Sequence, residues 1–367
     1  MNRYIPFEKL EKTLLELPFF FKVEDHGKSV DGKSIYSVQF GNGKTKILMW
    51  SQMHGNETTT TKAVLDLFRA FSQPEIAPMF QDIIENCTIQ VIPVLNPDGA
   101  MAYSRENKNK IDLNRDAVLL SQPESQILHS IFENYRPDFC FNLHDQRSIY
   151  GVGTTEKPAV VSFLAPSVNK GRTLTEPRKT AMKLIAEMNS FLQTFIPGNV
   201  GRYDDFFNPN CVGDKFQSME IPTVLVEAGH FPNDYDRNTT RKLVFLAISK
   251  ALFSVASKSF TQQNFKNYFN IPENEKSFFD IILRNVNING EVADLAIQFE
   301  EQLKDQEIEF VPVTEKIGNL SLYFGHKNLD FHGEKLRINR SIAIEEKIEI
   351  KHIAIGNEEI SSILTNN

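Results

Sequence analysis

The feature that most constrains the fold is an apolar run that ends in a polar turn within residues 46–61. The run 47–50 predicts a buried strand, and residues 58–71 carry apolar side chains at helical intervals. His54 and Glu57 therefore fall on a strand-to-helix turn, which is where open α/β sheets place their sites. An imidazole and a carboxylate three residues apart can meet on one metal ion. Taken alone, the pair is more often a surface histidine beside a helix-capping glutamate.

Two further predicted strands end in candidate ligands. The run 138–143 is followed at once by His144, and the run 222–227 ends in Glu227. Another apolar run, 88–95, stops at the turn sequence Asn-Pro-Asp-Gly. Because strand ends in an α/β sheet can share one edge, we expect these side chains to meet those of the first turn.

The order of predicted elements indicates two kinds of domain. Strands alternate with helices over the first two thirds of the chain, and the last third is β-rich with Asn-Gly and His-Gly turns. The predicted fold class is α/β, with a mixed, mostly parallel, doubly wound sheet that carries helices on both faces, plus a small C-terminal β-rich domain. The predicted boundaries are a catalytic domain at 1–257, a linker rich in Asn, Gln and Lys at 258–277, and the β-rich domain at 278–367.

Composition excludes several classes of partner. The 367 residues carry a net charge of -7 with acidic and basic residues interspersed, so we expect neither nucleic acid nor membrane as a partner. Cys87, Cys140 and Cys211 are scattered without a CxxC spacing, which argues against a disulfide framework and a thiolate zinc site. The N-terminal residues lack the uninterrupted apolar stretch of a signal peptide, and we therefore expect a cytoplasmic protein.

The candidate residues suit metal-assisted hydrolysis. Two histidines and a carboxylate are a common ligand set for catalytic zinc, with a fourth position left for water. Glu227 would then be a second, non-ligating carboxylate that takes a proton from that water and passes it to a leaving amine. Arg105, Asn114 and Arg115 lie in a predicted strand-end loop, where a guanidinium can stabilise a developing oxyanion or grip a carboxylate.

Five motifs, in order along the chain, resemble those of the zinc carboxypeptidase superfamily. They are His-Gly-Asn-Glu at 54–57, Asn-Pro-Asp-Gly at 96–99, Arg105 followed by Asp-Leu-Asn-Arg at 112–115, Leu-His at 143–144, and Val-Leu-Val-Glu-Ala-Gly at 224–229. The resemblance spans roughly residues 27–230 and leaves the C-terminal third outside. It implies that one Zn²⁺ ion is bound by His54, Glu57 and His144, with Glu227 as general base and acid.

The resemblance also implies roles for residues around the metal. Asp112 would hold His54 in place, which agrees with the rule that a metal-bound imidazole has its other nitrogen tied down. Arg105 would polarise the scissile carbonyl, and Asn114 and Arg115 would hold the terminal carboxylate of the substrate. Tyr203 is a candidate for the mobile tyrosine of the family.

The most favoured function is that of a metallocarboxypeptidase that acts on a peptide. His144 is followed by Asp-Gln-Arg instead of Ser-Tyr, and its distance in sequence from Glu57 is shorter than in digestive carboxypeptidases. A compact core with an extra β domain is also seen in the desuccinylase and aspartoacylase-like branch of the superfamily, so a deacylase of N-acyl amino acids is the alternative. A catalytically silent peptide-binding module is a third hypothesis.

Two further features have open roles. The β-rich domain could narrow access to the cleft or support a homo-oligomer. Asp145 could support a metal ligand, cap a helix or be a surface acid.

Overall fold

The structure is a computed structural model, and it describes residues 2–288, 290–334, 336–338, 353–355 and 358–359. The chain divides into two compact units. The first unit comprises Met1–Arg147 and Ala159–Asn274, and the second comprises Ser148–Pro158 and Glu275–Asn367.

The elements of the described residues are these. The helices are α1 (Phe7–Leu15), α2 (Thr58–Ser72), α3 (Gln81–Asn86), α4 (Pro97–Ala102), α5 (Pro123–Tyr135), α6 (Glu176–Leu192), α7 (Val212–Ser218) and α8 (Asn238–Ser257). Short 3-10 helices lie at Ala77–Phe80, Leu113–Arg115, Ser259–Gln262 and Phe265–Asn270. The strands are β1 (Lys22–Lys28), β2 (Ser34–Phe40), β3 (Thr45–Ser51), β4 (Cys87–Ile92), β5 (Phe139–Asp145), β6 (Tyr150–Val152), β7 (Val161–Leu164), β8 (Val200–Arg202), β9 (Thr223–Ala228), β10 (Asn274–Lys276), β11 (Phe278–Ile288), β12 (Glu291–Lys304), β13 (Glu307–Gly318), β14 (Phe324–Asp330), β15 (Leu336–Ile338), β16 (Ile353–Ile355) and β17 (Glu358–Glu359).

The first unit is built on one mixed sheet. In the described part of the chain this sheet has eight strands in the order β1-β2-β4-β3-β5-β9-β7-β8. The central strands β4, β3, β5 and β9 run parallel. Three pairs are antiparallel, namely β1 with β2, β2 with β4 and β7 with β9, whereas β7 and β8 pair parallel. The parallel centre brings the C-terminal ends of β3, β5 and β9 to one edge, where the candidate site lies.

Helices cover both faces of this sheet. One core packs α2, α6 and α8 against the sheet, with Phe68, Met182 and Ile248 fully buried or nearly so. The opposite core packs α5 and α7, where Phe216 meets Trp50 of β3 at a ring distance of 5.3 Å. Because both faces of β3 are covered and both its edges are paired, its apolar run needs no alternation. The predicted doubly wound α/β sheet is confirmed.

The second unit is β-rich, which confirms that part of the predicted fold class. Its larger sheet has the order β13-β12-β11-β14, and Ile281, Leu283 and Ile297 are buried on it. Strands β6 and β10 form a separate pair, and β15, β16 and β17 form a short sheet. No helix among the described residues combines the length and the hydrophobicity that a membrane span requires.

The domain boundaries differ from those predicted. The predicted linker at 258–277 belongs to the first unit as far as Asn274. Although this segment is mostly polar, its residues Phe260 and Tyr268 are buried in the main core. The hydroxyl of Tyr268 also accepts a hydrogen bond from the amide of Ala165 at 3.2 Å. The segment 148–158, predicted within the first domain, belongs to the second unit because it pairs with strands far along the chain, which composition does not reveal.

Lys62 is a fully buried lysine on α2. Its Nζ donates to the carbonyl oxygens of Asn2, Arg3 and Asp236 at 3.1, 3.3 and 3.4 Å. Burial, with the nearby Arg3 guanidinium adding to it, lowers the pKa of Lys62 from 10.5 to about 7. Between pH 7 and 10 the unfolded chain therefore binds one more proton than the folded chain, and this lysine makes the folded state more stable as the pH rises.

We expect Lys62→Met to remove this pH dependence. The wild type should gain about 1 kcal/mol of unfolding free energy per pH unit from this group over that range, and the variant should not. The measurement is urea unfolding at pH 7, 8 and 9, with the exposed Lys9→Met as the control that keeps the wild-type dependence. Equal slopes in wild type and Lys62→Met would contradict the assignment.

Candidate metal centre

The first two candidate ligands lie on the turn between β3 and α2. The amide of Glu57 donates to the carbonyl of His54 at 3.1 Å, which closes the turn and places both side chains on one side of it. A Cβ atom at Gly55 would lie 1.9 Å from the backbone carbon of Gly99 in the Asn-Pro-Asp-Gly loop. Only glycine lets these two backbones approach so closely, and the two sequence motifs therefore pack directly against each other.

The structure brings His54, Glu57 and His144 together. His144 lies at the end of β5, which pairs parallel with β3 so that Ser51 and Leu143 are neighbours. Nδ1 of His54 lies 2.7 Å from Oε1 of Glu57, and Nδ1 of His144 lies 2.8 Å from Oε2 of the same carboxylate. One potential ligand atom from each residue lies within 4.8 Å of the others, and all three residues are buried.

The charges of these groups fit a cation at their centre. Burial acts to raise the pKa of Glu57, but the two imidazoles beside it lower that pKa overall. Nε2 of His54 lies 3.1 Å from Oδ1 of Asp112, and in the neutral ring that donates there its Nδ1 lone pair faces the Glu57 carboxylate. Burial lowers the pKa of His144, which favours the neutral form that binds metals. One divalent cation could interact with both imidazole nitrogens and both oxygens of Glu57, whereas one proton can be shared by only one nitrogen and one oxygen.

Glu227 lies beside this cluster on the next strand. It is in register with His144 across the parallel pair β5 and β9, so the two side chains leave the sheet on the same face. Burial raises the pKa of Glu227 well above its ordinary value, and the carboxylates of Glu57 and Asp145 add to this. Its Oε2 is buried and has no hydrogen-bond partner among the described residues. A buried carboxylate oxygen of this kind is expected to meet a ligand or water.

Arg105 and Asp112 flank the cluster on its more exposed side. Nη1 of Arg105 lies 3.5 Å from Oε1 of Glu57, and its Nε donates to Oδ2 of Asp112 at 3.1 Å. Asp112 also accepts from the amide of Asn114 at 2.8 Å, which caps the 3-10 helix that follows. About half of the Arg105 side chain is exposed, so the guanidinium can face an incoming substrate.

Asn114 and Arg115 lie against the loop that leads into α7. Oδ1 of Asn114 accepts from the amide of Val212 at 3.0 Å, which orients the amide group. Nη1 of Arg115 donates to the carbonyl of Asn114 at 2.7 Å and lies 3.1 Å from Sγ of Cys211. Of the three free thiols, those of Cys87 and Cys140 are buried and that of Cys211 is only partly so.

Tyr203 lies near one edge of the eight-stranded sheet. It follows β8, its amide donates to the carbonyl of Phe163 at 3.0 Å, and β7 separates β8 from the strand of Glu227. Its role stays a prediction. Asp145, whose role the sequence left open, is buried and caps the first turn of α2. Arg3, which pairs with Asp145, was missed because no motif marks an N-terminal arginine as buried.

The arrangement can hold a metal ion and act on an amide. Two imidazole nitrogens and a carboxylate form a set that binds zinc and leaves a position open. A second carboxylate with a raised pKa can exchange a proton nearby, and a guanidinium can stabilise negative charge at the same place.

Comparisons with known proteins find similarity to carboxypeptidases. Residues 8–119 match the family model described as zinc carboxypeptidase. Human Carboxypeptidase D is 26% identical over 163 residues, which cover 37% of this chain and 12% of that protein. Carboxypeptidase SOL1 of Arabidopsis thaliana is 27% identical over 135 residues, which cover 32% of this chain and 28% of that protein. The matched stretches thus span less than a third of these relatives.

Solved structures extend the likeness in fold to about 70% of the chain. A putative carboxypeptidase A from Shewanella denitrificans covers 70% of each chain with a TM-score of 0.57 and 15% identity. A metallo-carboxypeptidase from Burkholderia cenocepacia covers 70% of this chain and 71% of its own with a TM-score of 0.56 and 15% identity. At such identities these neighbours establish the fold. The chain is thus similar in sequence to zinc carboxypeptidases over residues 8–119, and its fold resembles that of solved metallocarboxypeptidases.

Proposed function

We propose that the protein is a zinc-dependent carboxypeptidase that releases the C-terminal residue of a peptide. The observation that carries the proposal is the convergence of His54, Glu57 and His144 beside Glu227, whose Oε2 is buried. The three residues would hold one Zn²⁺ ion. When bound, zinc supplies a Lewis acid that polarises a carbonyl group and makes water more acidic.

In the proposed reaction Glu227 transfers the proton and Arg105 stabilises the developing negative charge. Glu227 accepts a proton from water as the water oxygen bonds to the scissile carbonyl carbon. Arg105 donates to the carbonyl oxygen as negative charge develops there. When the carbon–nitrogen bond breaks, Glu227 returns the same proton to the leaving amine. Burial and the neighbouring carboxylates raise the pKa of Glu227, which makes it a stronger base than an exposed glutamate.

Recognition of a C-terminal carboxylate is assigned to Asn114 and Arg115. The planar guanidinium of arginine can make two parallel hydrogen bonds to a carboxylate. Its neighbour Asn114 is held by the amide of Val212, so the NH₂ end of its side chain is directed away from that bond. The loop around Cys211 and Val212 lies next to both residues and would border the pocket for the released side chain.

A substrate panel tests this proposal. Peptides with a free C-terminal carboxylate, the same peptides with a C-terminal amide, and N-acyl amino acids are incubated with the full chain, with a chelator, and with zinc restored after the chelator. We expect release of the last residue from free-carboxylate peptides to exceed that from the amides by about 100-fold, because the amide cannot form the charge-assisted pair with Arg115.

Two other results would favour a different function. Hydrolysis of N-acyl amino acids alone would favour the deacylase hypothesis, in which the metal and Glu227 keep their roles. Tight binding of peptides without turnover, in the presence of zinc, would favour the silent binding module. Chelator sensitivity of the observed activity separates either hydrolase from a contaminating enzyme that needs no metal.

A further inference from the structure

We infer that the buried ion pair between Arg3 and Asp145 is a positioning device that sets the affinity of the metal centre. It fixes the placement of Glu57 relative to His144. The inference rests on the proposed function only in taking His54, Glu57 and His144 as the metal ligands. It concerns two residues that would not touch the metal or the substrate.

Asp145 connects the two elements that carry the ligands. It directly follows His144 on β5, and its amide donates to Oε2 of Glu57 at 3.1 Å. Its carboxylate accepts from the amides of Thr59 and Thr60 at 2.8 and 3.1 Å, in the first turn of α2. Glu57 immediately precedes that helix. One residue therefore holds the end of β5, the first turn of α2 and the carboxylate of a ligand in one arrangement.

Arg3 completes this arrangement from the N-terminal segment. Only 4% of the residue is exposed, and its Nη1 lies 3.2 Å from Oδ2 of Asp145 and 2.7 Å from Oγ1 of Thr59. Its backbone is held as well, because its carbonyl oxygen accepts from Oγ1 of Thr58 at 2.6 Å and from Nζ of Lys62 at 3.3 Å. The guanidinium thus bridges the carboxylate of Asp145 to α2 and cannot swing away without breaking these contacts.

Removal of Arg3 would take away the guanidinium that forms an ion pair with the buried carboxylate of Asp145. Only 2% of that side chain is exposed, and the carboxylate of Glu57 lies close to its backbone amide. A buried charge that loses its partner moves toward water or recruits it. Either movement displaces the cap of α2 and, with it, the side chain of Glu57 relative to His144.

Two opposite effects on metal affinity follow from Arg3, and their sizes differ. Its positive charge repels a cation, but Asp145 neutralises most of that charge at 3.2 Å. Its positioning of a ligand acts in the other direction. Groups that orient metal ligands typically contribute about 10-fold to 100-fold in affinity. Positioning should therefore outweigh repulsion, and the loss of Arg3 should weaken metal binding.

The test uses the full chain with Arg3→Met, Arg3→Lys and Thr59→Val. The matched control is Arg241→Met, because Arg241 forms a second part-buried ion pair with α2 through Asp66, nine residues beyond Glu57. The zinc dissociation constant is measured by competition with a chromophoric chelator, and thermal unfolding of each metal-free variant reports its folding. The two arginine-to-methionine variants then compare loss of an ion pair near the ligands with loss of one far from them.

We expect Arg3→Met to bind zinc about 10-fold to 100-fold more weakly, and Arg241→Met to stay within about 2-fold of the wild type at a similar loss of stability. Arg3→Lys should recover part of the affinity. If Arg3→Met fails to fold, Thr59→Val still removes one of the contacts of Arg3 and should weaken zinc binding about 3-fold.

Three results would overturn the inference alone: unchanged affinity in the Arg3 and Thr59 variants, tighter binding in Arg3→Met, or an equal loss in Arg241→Met. A wild type that binds no zinc would instead remove the proposed function, and this inference with it.

Discussion

Glu227→Gln is expected to lower kcat by about 1,000-fold while zinc binding stays as in the wild type. A general base of this kind contributes roughly 100-fold to 10,000-fold, and glutamine keeps the shape of the side chain but cannot accept the proton. Zinc affinity should not change because His54, Glu57 and His144 supply the ligands. The measurements are steady-state kinetics on the best peptide of the panel and a zinc titration of the same preparation.

The control for this variant is Glu187→Gln. Glu187 is also largely buried, but it bonds to Ser254, Ser259 and Lys250 away from the metal centre. This change should lower stability and leave kcat within about 2-fold. Turnover by Glu227→Gln at the wild-type rate would show that Glu227 is not the base.

Removal of the metal is the second change with a large expected effect. Dialysis against a chelator should reduce hydrolysis to background and lower the melting temperature by roughly 10 °C. A ligand present at about 1,000 times its dissociation constant stabilises the folded state by about 4 kcal/mol, and each kcal/mol shifts the melting temperature by about 2–4 °C for a unit of this size. Added zinc should restore both properties.

His144→Ala should lose this response to zinc, whereas His129→Ala should keep it. His129 lies on α5 beside Glu133 and is partly exposed, so its replacement controls for the loss of a histidine as such. Equal stabilisation of wild type and His144→Ala by zinc would mean that the metal binds elsewhere.

The central part of the site was readable from the sequence because short segments encode it. His54 and Glu57 share one turn, and His144 and Glu227 each end an apolar run that predicts a strand. In a parallel arrangement the ends of such strands lie on one edge, so four residues from three segments could be expected to meet. The register of β5 with β9 then places Glu227 beside His144.

Other features depend on contacts between distant residues that carry no local signal. Arg3 is buried only because Asp145 and Thr59 lie beside it in the folded chain, 142 and 56 residues away. The sequence of α2 does not indicate that Lys62 is buried, yet this residue is fully buried in the folded chain. The predicted linker was wrong for the same reason, since Tyr268 lies in a segment rich in Asn, Gln and Lys but is buried in the main core.

The proposed metal centre is tested most directly by crystallography of the zinc-loaded protein, with anomalous diffraction recorded on both sides of the zinc absorption edge. We expect one anomalous peak, bound by Nδ1 of His54, Nδ1 of His144 and the carboxylate of Glu57, with Glu227 close by and not bound. A peak held by other side chains, or a site between these three residues that stays without metal at saturating zinc, would contradict it.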